Sequence, residues 1–288
     1  MTGMITEQTG FAHLSDLPCW QLRFGDACAV ISSYGAQVLS YQPKPEQEVL
    51  WLSPLSSWHQ QQAIRGGIPI CWPWFGPADA NILPDAATQP GHGLVRNRLW
   101  QLHHKAELES ATQLTLKVTL DTLPHIASPV TLYLQLTLSN TLTIELRCDA
   151  PIAQQAALHS YFAIAPLMAS TVGSETIQQI QIQGLSQSYM DKVSGQPTQQ
   201  ANDHAHIDSE TDRVYRQPAA EMKLIGDKHS LTLNQAGQDH AVLWNPWQQK
   251  SQAMPDMPDD GYQHFICLET ARLHWQPMPL LLKQQIRL

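Results

Sequence analysis

Hydrophobic residues recur at every second position through the middle of the chain. Leu114, Leu116, Val118 and Leu120 alternate with polar neighbours, as do Val130, Leu132, Leu134, Leu136 and Leu138, and then Leu142, Ile144, Leu146 and Cys148. A period of two places successive side chains on opposite faces of a strand. These three runs therefore predict an antiparallel meander with one buried face, and Ser139-Asn140 suits the tight turn between the last two. Shorter strand candidates lie at 28–32, 178–183, 223–225, 231–234, 241–244, 265–269 and 281–288. Helical periodicity is scarce: one or two turns over 55–64 and a short piece over 258–263. Many short strands with turn signals between them predict an all-β protein, a large sandwich of antiparallel strands with a few short helices. Two polar stretches, 78–90 and 194–209, are long for loops and read as binding loops or mobile segments. Strand patterns resume on both sides of each, so residues 1–288 read as one domain.

Composition narrows the partners. A chain of 288 residues can bury a large core. A formal net charge of -8 and a pI near 5.9 argue against nucleic acid as a main partner. They leave a phosphorylated ligand open, because local cations decide that. Cys19, Cys28, Cys71, Cys148 and Cys267 are odd in number and show neither a CxxC pair nor zinc spacing. No apolar run approaches roughly 18 residues, so no membrane-spanning helix is expected. The first 17 residues contain Glu7 and Asp16 and lack the basic start and apolar core of a signal peptide. The reducing cytoplasm is the expected compartment.

Candidate chemistry concentrates in two runs. Residues 64–77 read Ile-Arg-Gly-Gly-Ile-Pro-Ile-Cys-Trp-Pro-Trp-Phe-Gly-Pro, which sets Arg65 among glycines, prolines and aromatics. Gly66 and Gly67 permit unusual backbone angles and a close approach by a ligand. Trp72, Trp74 and Phe75 offer flat faces for a sugar ring or for a core. The run reads equally as a ligand site or as a buried loop whose Arg65 pairs with a carboxylate. Gly91-His92-Gly93-Leu94-Val95-Arg96 again places an imidazole and a cation beside glycines. Together with Leu158-His159-Ser160-Tyr161-Phe162, Thr211-Asp212-Arg213-Val214-Tyr215, Trp244-Asn245-Pro246-Trp247 and Cys267-Leu268-Glu269-Thr270-Ala271, these blocks resemble, in order, the hexose-6-phosphate mutarotases. That group is the glucose-6-phosphate 1-epimerase branch of the aldose 1-epimerase family. The resemblance implies a galactose-mutarotase-like β-supersandwich, a monomer, a hexose 6-phosphate substrate, and catalysis with no metal or other cofactor.

Interconverting the anomers of an aldose requires a base at the C1 hydroxyl and an acid at the ring oxygen. On bare sequence His159 reads as a hydrogen-bonded core histidine or a site group, and Glu269 as a water-facing strand end or a site group. The resemblance assigns Glu269 as the base and His159 as the acid. It assigns Asp212 and His92 to the sugar hydroxyls, where a carboxylate can accept two hydroxyl protons. Without it, Asp212 would equally suit a salt bridge to Arg213, and His92 a tight turn. Arg65 and Arg96 are the candidates for phosphate, since Arg offers a permanent planar fork of donors. Arg98 and Lys105 could add charge nearby. His103 and His104 read as surface residues. His204 and His206, with Asp203 and Asp208, make a weak case for a metal. A free-aldose mutarotase, a non-catalytic carbohydrate-binding sandwich and a glycosidase, which normally needs two carboxylates, are the alternatives.

Overall fold

The computed structural model describes residues 3–288 except 60, 61, 82, 84, 125, 170–172, 174 and 201. Among the described residues, the strands form antiparallel sheets of four, eight and nine strands. The alternating runs become Thr112–Leu120, Val130–Leu138 and Leu142–Cys148 and pair in sequence order, with Leu116 opposite Leu134 and Leu134 opposite Leu146. They belong to the nine-stranded sheet. This sheet has Gln101–Glu107 at one edge and continues beyond Leu142–Cys148 through Leu280–Arg287, Ser230–Ala236, Glu221–Ile225, Gln181–Gln183 and His204–Ala205. The eight-stranded sheet runs Gln196–Gln199, Ser188–Asp191, Thr211–Arg216, His240–Asn245, Phe265–Pro277, Ala153–Leu158 and Ile70–Cys71, with Tyr161–Ala163 also paired to Phe265–Pro277. Gly3–Phe11, Leu14–Phe24, Ala27–Ser32 and Val38–Gln42 form the four-stranded sheet.

The sheets bury their apolar faces together. Leu134, Leu146 and Ile286 share one core with Leu158, Leu243 and Leu268, and with Leu22 and Ile31. One polar tie crosses this core. Gln284 accepts from the Ser160 hydroxyl at 2.8 Å and donates to the Thr270 hydroxyl at 3.0 Å, so the buried amide is satisfied.

Several elements differ from the sequence pattern for identifiable reasons. Gly3–Phe11 buries only Ile5, and Gln101–Glu107 is almost wholly exposed, so neither edge strand carries the alternation that marks a half-buried one. The strand expected at 265–269 continues to Pro277. The run 178–183 divides into a 3-10 turn, Ile177–Gln179, and the strand Gln181–Gln183. The segment 194–209 is not a loose loop: Gln196–Gln199 pairs with Ser188–Asp191, and His204–Ala205 pairs with Gln181–Gln183, while residue 201 lies outside the described residues. In 78–90, Leu83 and Ala86 pack with Trp74, and residues 82 and 84 lie outside the described set. Of the turns expected over 55–64, the Gln62 N–H donates to the His59 carbonyl, and residues 60 and 61 are not described. Gly261–Gln263 is a 3-10 turn within 258–263. The helix Trp247–Ala253 escapes sequence reading because it buries only Ser251 and has no apolar stripe. A Lys250 to Glu210 bond at 2.8 Å and the packing of Trp247 against Tyr262 tie it down.

Leu134 is fully buried between strands on both sides. Leu134→Ala should therefore lower the unfolding free energy by about 2–5 kcal/mol. Denaturant titration should show a lower midpoint with an unchanged slope. A loss well below about 1 kcal/mol would contradict this placement of the core.

Candidate active site

Strand alternation builds the site. Ile266 and Leu268 enter the main core, which turns Cys267, Glu269 and Ala271 to the other face of the eight-stranded sheet. Neighbouring strands bring matched positions to that face. Asp212 opposes Trp244, Trp244 opposes Cys267, and Cys267 opposes Tyr161. In the next row Val214 opposes Val242, and Val242 opposes Glu269. His159 sits in the break between Ala153–Leu158 and Tyr161–Ala163, where its N–H donates to the Pro69 carbonyl at 3.0 Å.

A pocket of 310 Å³ on this face is lined by all six predicted site residues, Arg65, His92, Arg96, His159, Asp212 and Glu269. A second cavity of 550 Å³ shares Arg65, His92, Arg96 and His159 with it. His159 Nε2 lies 3.5 Å from Glu269 Oε1, so the fold closes a sequence gap of 110 positions (269 − 159). Glu269 is not a water-facing strand end: it lies within the strand and is 1% exposed. Among the described residues, neither of its oxygens nor His159 Nδ1 has a hydrogen-bond partner. Burial pushes the Glu269 carboxyl well above its ordinary range, the Asp212 charge adds to this, and Lys192 opposes it. Burial drives His159 the opposite way, well below its ordinary value, with the Arg65 and Arg96 charges adding to the effect.

His92 has a left-handed backbone, with φ of 63°, and Gly93 follows at 81°. A Cβ on Gly93 would lie 1.9 Å from the Trp72 carbonyl oxygen, so only glycine fits there. The Gly76 N–H donates to His92 Nδ1 at 3.3 Å. Nδ1 is thus the acceptor and Nε2 carries the proton. Burial, then Arg96, Lys192 and Arg65, lower the His92 pKa to about 3, which keeps the ring neutral. The glycines of the first run have a purpose other than ligand approach. Cβ atoms on Gly66 and Gly67 would come 2.4 and 2.1 Å from the carbonyl oxygens of Trp51 and Val38, so the close neighbour is the chain itself.

The cations divide into matched and unmatched. Arg65 places Nε and Nη2 3.1 and 3.0 Å from one Asp256 oxygen and donates from Nη1 to the Tyr161 hydroxyl at 3.3 Å. Burial works against its charge, but Tyr161 and Asp256 outweigh that. Arg96 donates to the Gly91 carbonyl at 2.9 Å and has no carboxylate within 4.0 Å among the described residues. Burial raises the Asp212 carboxyl, against the pull of Lys192 and Lys250. Arg213 does not pair with Asp212. It lies over the Tyr189 ring at 5.1 Å.

Other sequence candidates fall outside the pocket. Lys105 lies over Trp20, and Arg98 faces solvent on a separate groove. Trp72 and Trp74 are core residues, and only Phe75 of the three aromatics reaches the pocket. His204 binds Asp203 at 2.9 Å, with the His206 ring 5.1 Å away. Sequence reasoning did not single out Lys192, Lys250, Asp256 or Tyr161. Tyr161 lay inside a recognised block and Lys192 just before a flagged segment, but Asp256 had no signal.

The electrostatics predict a stability gain from removing the carboxylate. The folded-state pKa of Glu269 exceeds its unfolded value, so the folded state favours the protonated acid. The associated stability is complete below the unfolded pKa of about 4.3 and is lost as pH rises toward the folded value. Glu269→Gln should therefore unfold at a higher temperature than the parent near pH 7–8, with the gap closing toward pH 4. A glutamine variant less stable than the parent at neutral pH would contradict this account.

Comparison with known proteins gives the family and the fold. The family model described as aldose 1-epimerase matches residues 18–286. A Salmonella typhimurium protein named "Putative glucose-6-phosphate 1-epimerase" is 35% identical over 266 residues, covering 90% of this chain and 84% of the relative. An Escherichia coli protein of the same name is 35% identical over 243 residues, covering 82% and 77%. The crystal structure of a "putative mutarotase" from Salmonella typhimurium superposes with a TM-score of 0.85 at 30% identity, covering 98% of this chain and 92% of that one. Galactose 1-epimerase from Lactobacillus acidophilus, at 13% identity and a TM-score of 0.69, shares the fold, covering 99% and 98%. The fold is the galactose-mutarotase-like β-sandwich, and the chain belongs to the aldose 1-epimerase family.

Proposed function

We propose that this protein, acting as one domain over residues 1–288, interconverts the α and β anomers of a hexose 6-phosphate, with D-glucose 6-phosphate the favoured substrate. The observation that carries this reading is the 3.5 Å approach of His159 Nε2 to Glu269 Oε1, in a pocket that also holds Arg96 without a carboxylate partner. Glu269 as carboxylate removes the C1 hydroxyl proton. The C1–ring-oxygen bond breaks as C1=O forms, and His159 as imidazolium protonates the leaving ring oxygen. Rotation about C1–C2 presents the other face of the aldehyde, and closure reverses both proton transfers. Asp212 accepts from sugar hydroxyls, and His92 donates to the sugar from Nε2. Arg96 binds the phosphate together with Arg65, whose remaining donors are oriented by Asp256 and Tyr161.

A carbohydrate-binding module has no use for an acid and a base within reach of one sugar ring, and their proximity favours an enzyme. The free-aldose alternative draws on one observation: Asp256 already offsets the Arg65 charge. Arg96 and Lys192, which have no carboxylate within 4.0 Å among the described residues, favour the phosphate.

Exchange NMR comparing glucose 6-phosphate with free glucose tests the reading. Glu269→Gln and His159→Ala should each slow anomerisation at least about 10²-fold. Near-normal turnover in either variant would sink the assignment. Arg96→Ala should raise KM for the phosphate about 10- to 150-fold, the loss expected for a charge-assisted bond of roughly 1.5–3 kcal/mol. It should leave residual turnover of free glucose nearly unchanged. A parent enzyme that turns over both sugars equally would hand the lead to the free-aldose reading. Every proton transfer proposed here runs between the sugar and a side chain of this protein, so turnover should also survive dialysis against a strong chelator. Loss restored by one divalent ion would contradict the mechanism.

A further inference from the structure

Tyr161 contacts both His159 and Arg65. Its ring lies flat against His159, with centroids 4.9 Å apart and planes within 8°. Its hydroxyl oxygen accepts from Arg65 Nη1 at 3.3 Å, and the residue lines the 550 Å³ cavity. The residue itself is held firmly. Its N–H donates to the Gly67 carbonyl and its carbonyl accepts from the Trp51 N–H, both at 2.9 Å. The rings of Trp51, Trp244 and Phe265 surround it at 6.0, 6.0 and 5.0 Å.

The two neighbours are less constrained. His159 Nδ1 has no partner among the described residues, so no hydrogen bond there sets the imidazole plane. The torsion that turns an imidazole is intrinsically broad, and the face of Tyr161 restricts it. Asp256 holds one edge of Arg65 through Nε and Nη2, which leaves Nη1 to the phenol. Core packing does not account for the hydroxyl. Phenylalanine would fill the same space among the aromatics without a buried polar atom to satisfy. Burial keeps the phenol protonated, so its oxygen accepts from Arg65 while its hydrogen remains available to a ligand.

We propose that Tyr161 is a positioning residue with two separable duties: its ring fixes the plane in which His159 meets the sugar ring oxygen, and its hydroxyl fixes the Arg65 guanidinium that grips the phosphate. The proposal rests on the acid–base and phosphate roles proposed above. It extends them by making one side chain common to binding and chemistry.

The test is a split between kcat and KM in Tyr161→Phe and Tyr161→Leu, measured by exchange NMR on glucose 6-phosphate and on free glucose. Tyr161→Phe keeps the stack and loses the hydroxyl. KM for the phosphate should rise roughly 2- to 10-fold, the worth of one hydrogen bond, a larger change than in kcat or in any constant for free glucose. Tyr161→Leu loses the stack, and kcat should fall about tenfold or more on both sugars as the acid loses its orientation. Independently of the Leu variant's folding, the stack should move the His159 carbon-bound protons upfield by ring current in the parent and in Tyr161→Phe. An unchanged KM in Tyr161→Phe would overturn the hydroxyl duty. A folded Tyr161→Leu with parental kcat, or unshifted His159 resonances, would overturn the ring duty. If the parent handles both sugars equally, the phosphate reading fails by itself, while the ring duty is still decided by kcat in Tyr161→Leu and by the resonances.

Discussion

A carboxylate buried in an apolar strand is the constraint on which the site depends. Glu269 lies between Leu268 and Thr270, is 1% exposed, and has no hydrogen bond to either oxygen among the described residues. Such a group is costly to ionise. Folding tolerates it by letting it hold a proton and by placing a second proton-binding group, His159, 3.5 Å away. The two are pushed in opposite directions by the same burial, the acid up and the imidazole down. Perturbation of this kind, with specific partners inside a pocket, marks a functional site more often than a structural one. The strand around Glu269 could be more stable with an apolar residue there, and the chain forgoes that.

The sheet converts distance in sequence into proximity in space. Hydrogen-bonded registers line up Asp212, Trp244, Cys267 and Tyr161 in one row, and Val214, Val242 and Glu269 in the next. The glycine-bearing runs are brought in differently, by isolated bridges: Leu52 with Gly66, Val38 with Ile68, and Trp72 with Gly93. At Gly66 and Gly93, and at Gly67 beside the Val38–Ile68 bridge, the chain passes so close to another segment that a side chain would collide with its backbone. The glycines therefore act on the site indirectly. They let Arg65, His92 and Arg96 be delivered from loops to the face that already carries Glu269.

Much of this was legible in the sequence, and the rest was hidden for physical reasons. The meander of Thr112–Leu120, Val130–Leu138 and Leu142–Cys148 was plain, because one face is buried and the period of two is unbroken. Edge strands such as Gln101–Glu107 and the polar helix Trp247–Ala253 were not, because little of either is buried. All six candidate residues meet in one pocket, yet periodicity alone left His159 and Glu269 divided between core, surface and site. It was the ordered blocks that separated these readings. Asp256 illustrates the limit. Its pairing with Arg65 spans 191 positions, and one of three aspartates in a proline-containing loop, with Asp259 and Asp260 close by, carries no local mark of such a partner.

The charges lining the pocket leave a positive surplus. Four cations line the 310 Å³ pocket: Arg65, Arg96, Lys192 and Lys250. Asp256 and Glu210 offset Arg65 and Lys250, and Asp212 faces the same space. Leaving the Glu269–His159 pair aside and counting His92 as neutral, the balance of these groups is 4 − 3 = +1, in a protein whose formal net charge is -8. An anion is drawn to such a place by local rather than overall charge. On the proposed function, the arriving phosphate also counters Arg65 and Arg96, two of the charges that keep His159 neutral. Relief of that pressure raises the proton affinity of His159, the group that must carry a proton to the ring oxygen. A phosphate seated at the arginines would then do more than anchor the sugar. It would offset the arginine charges that oppose protonation of His159, an effect an uncharged sugar does not exert.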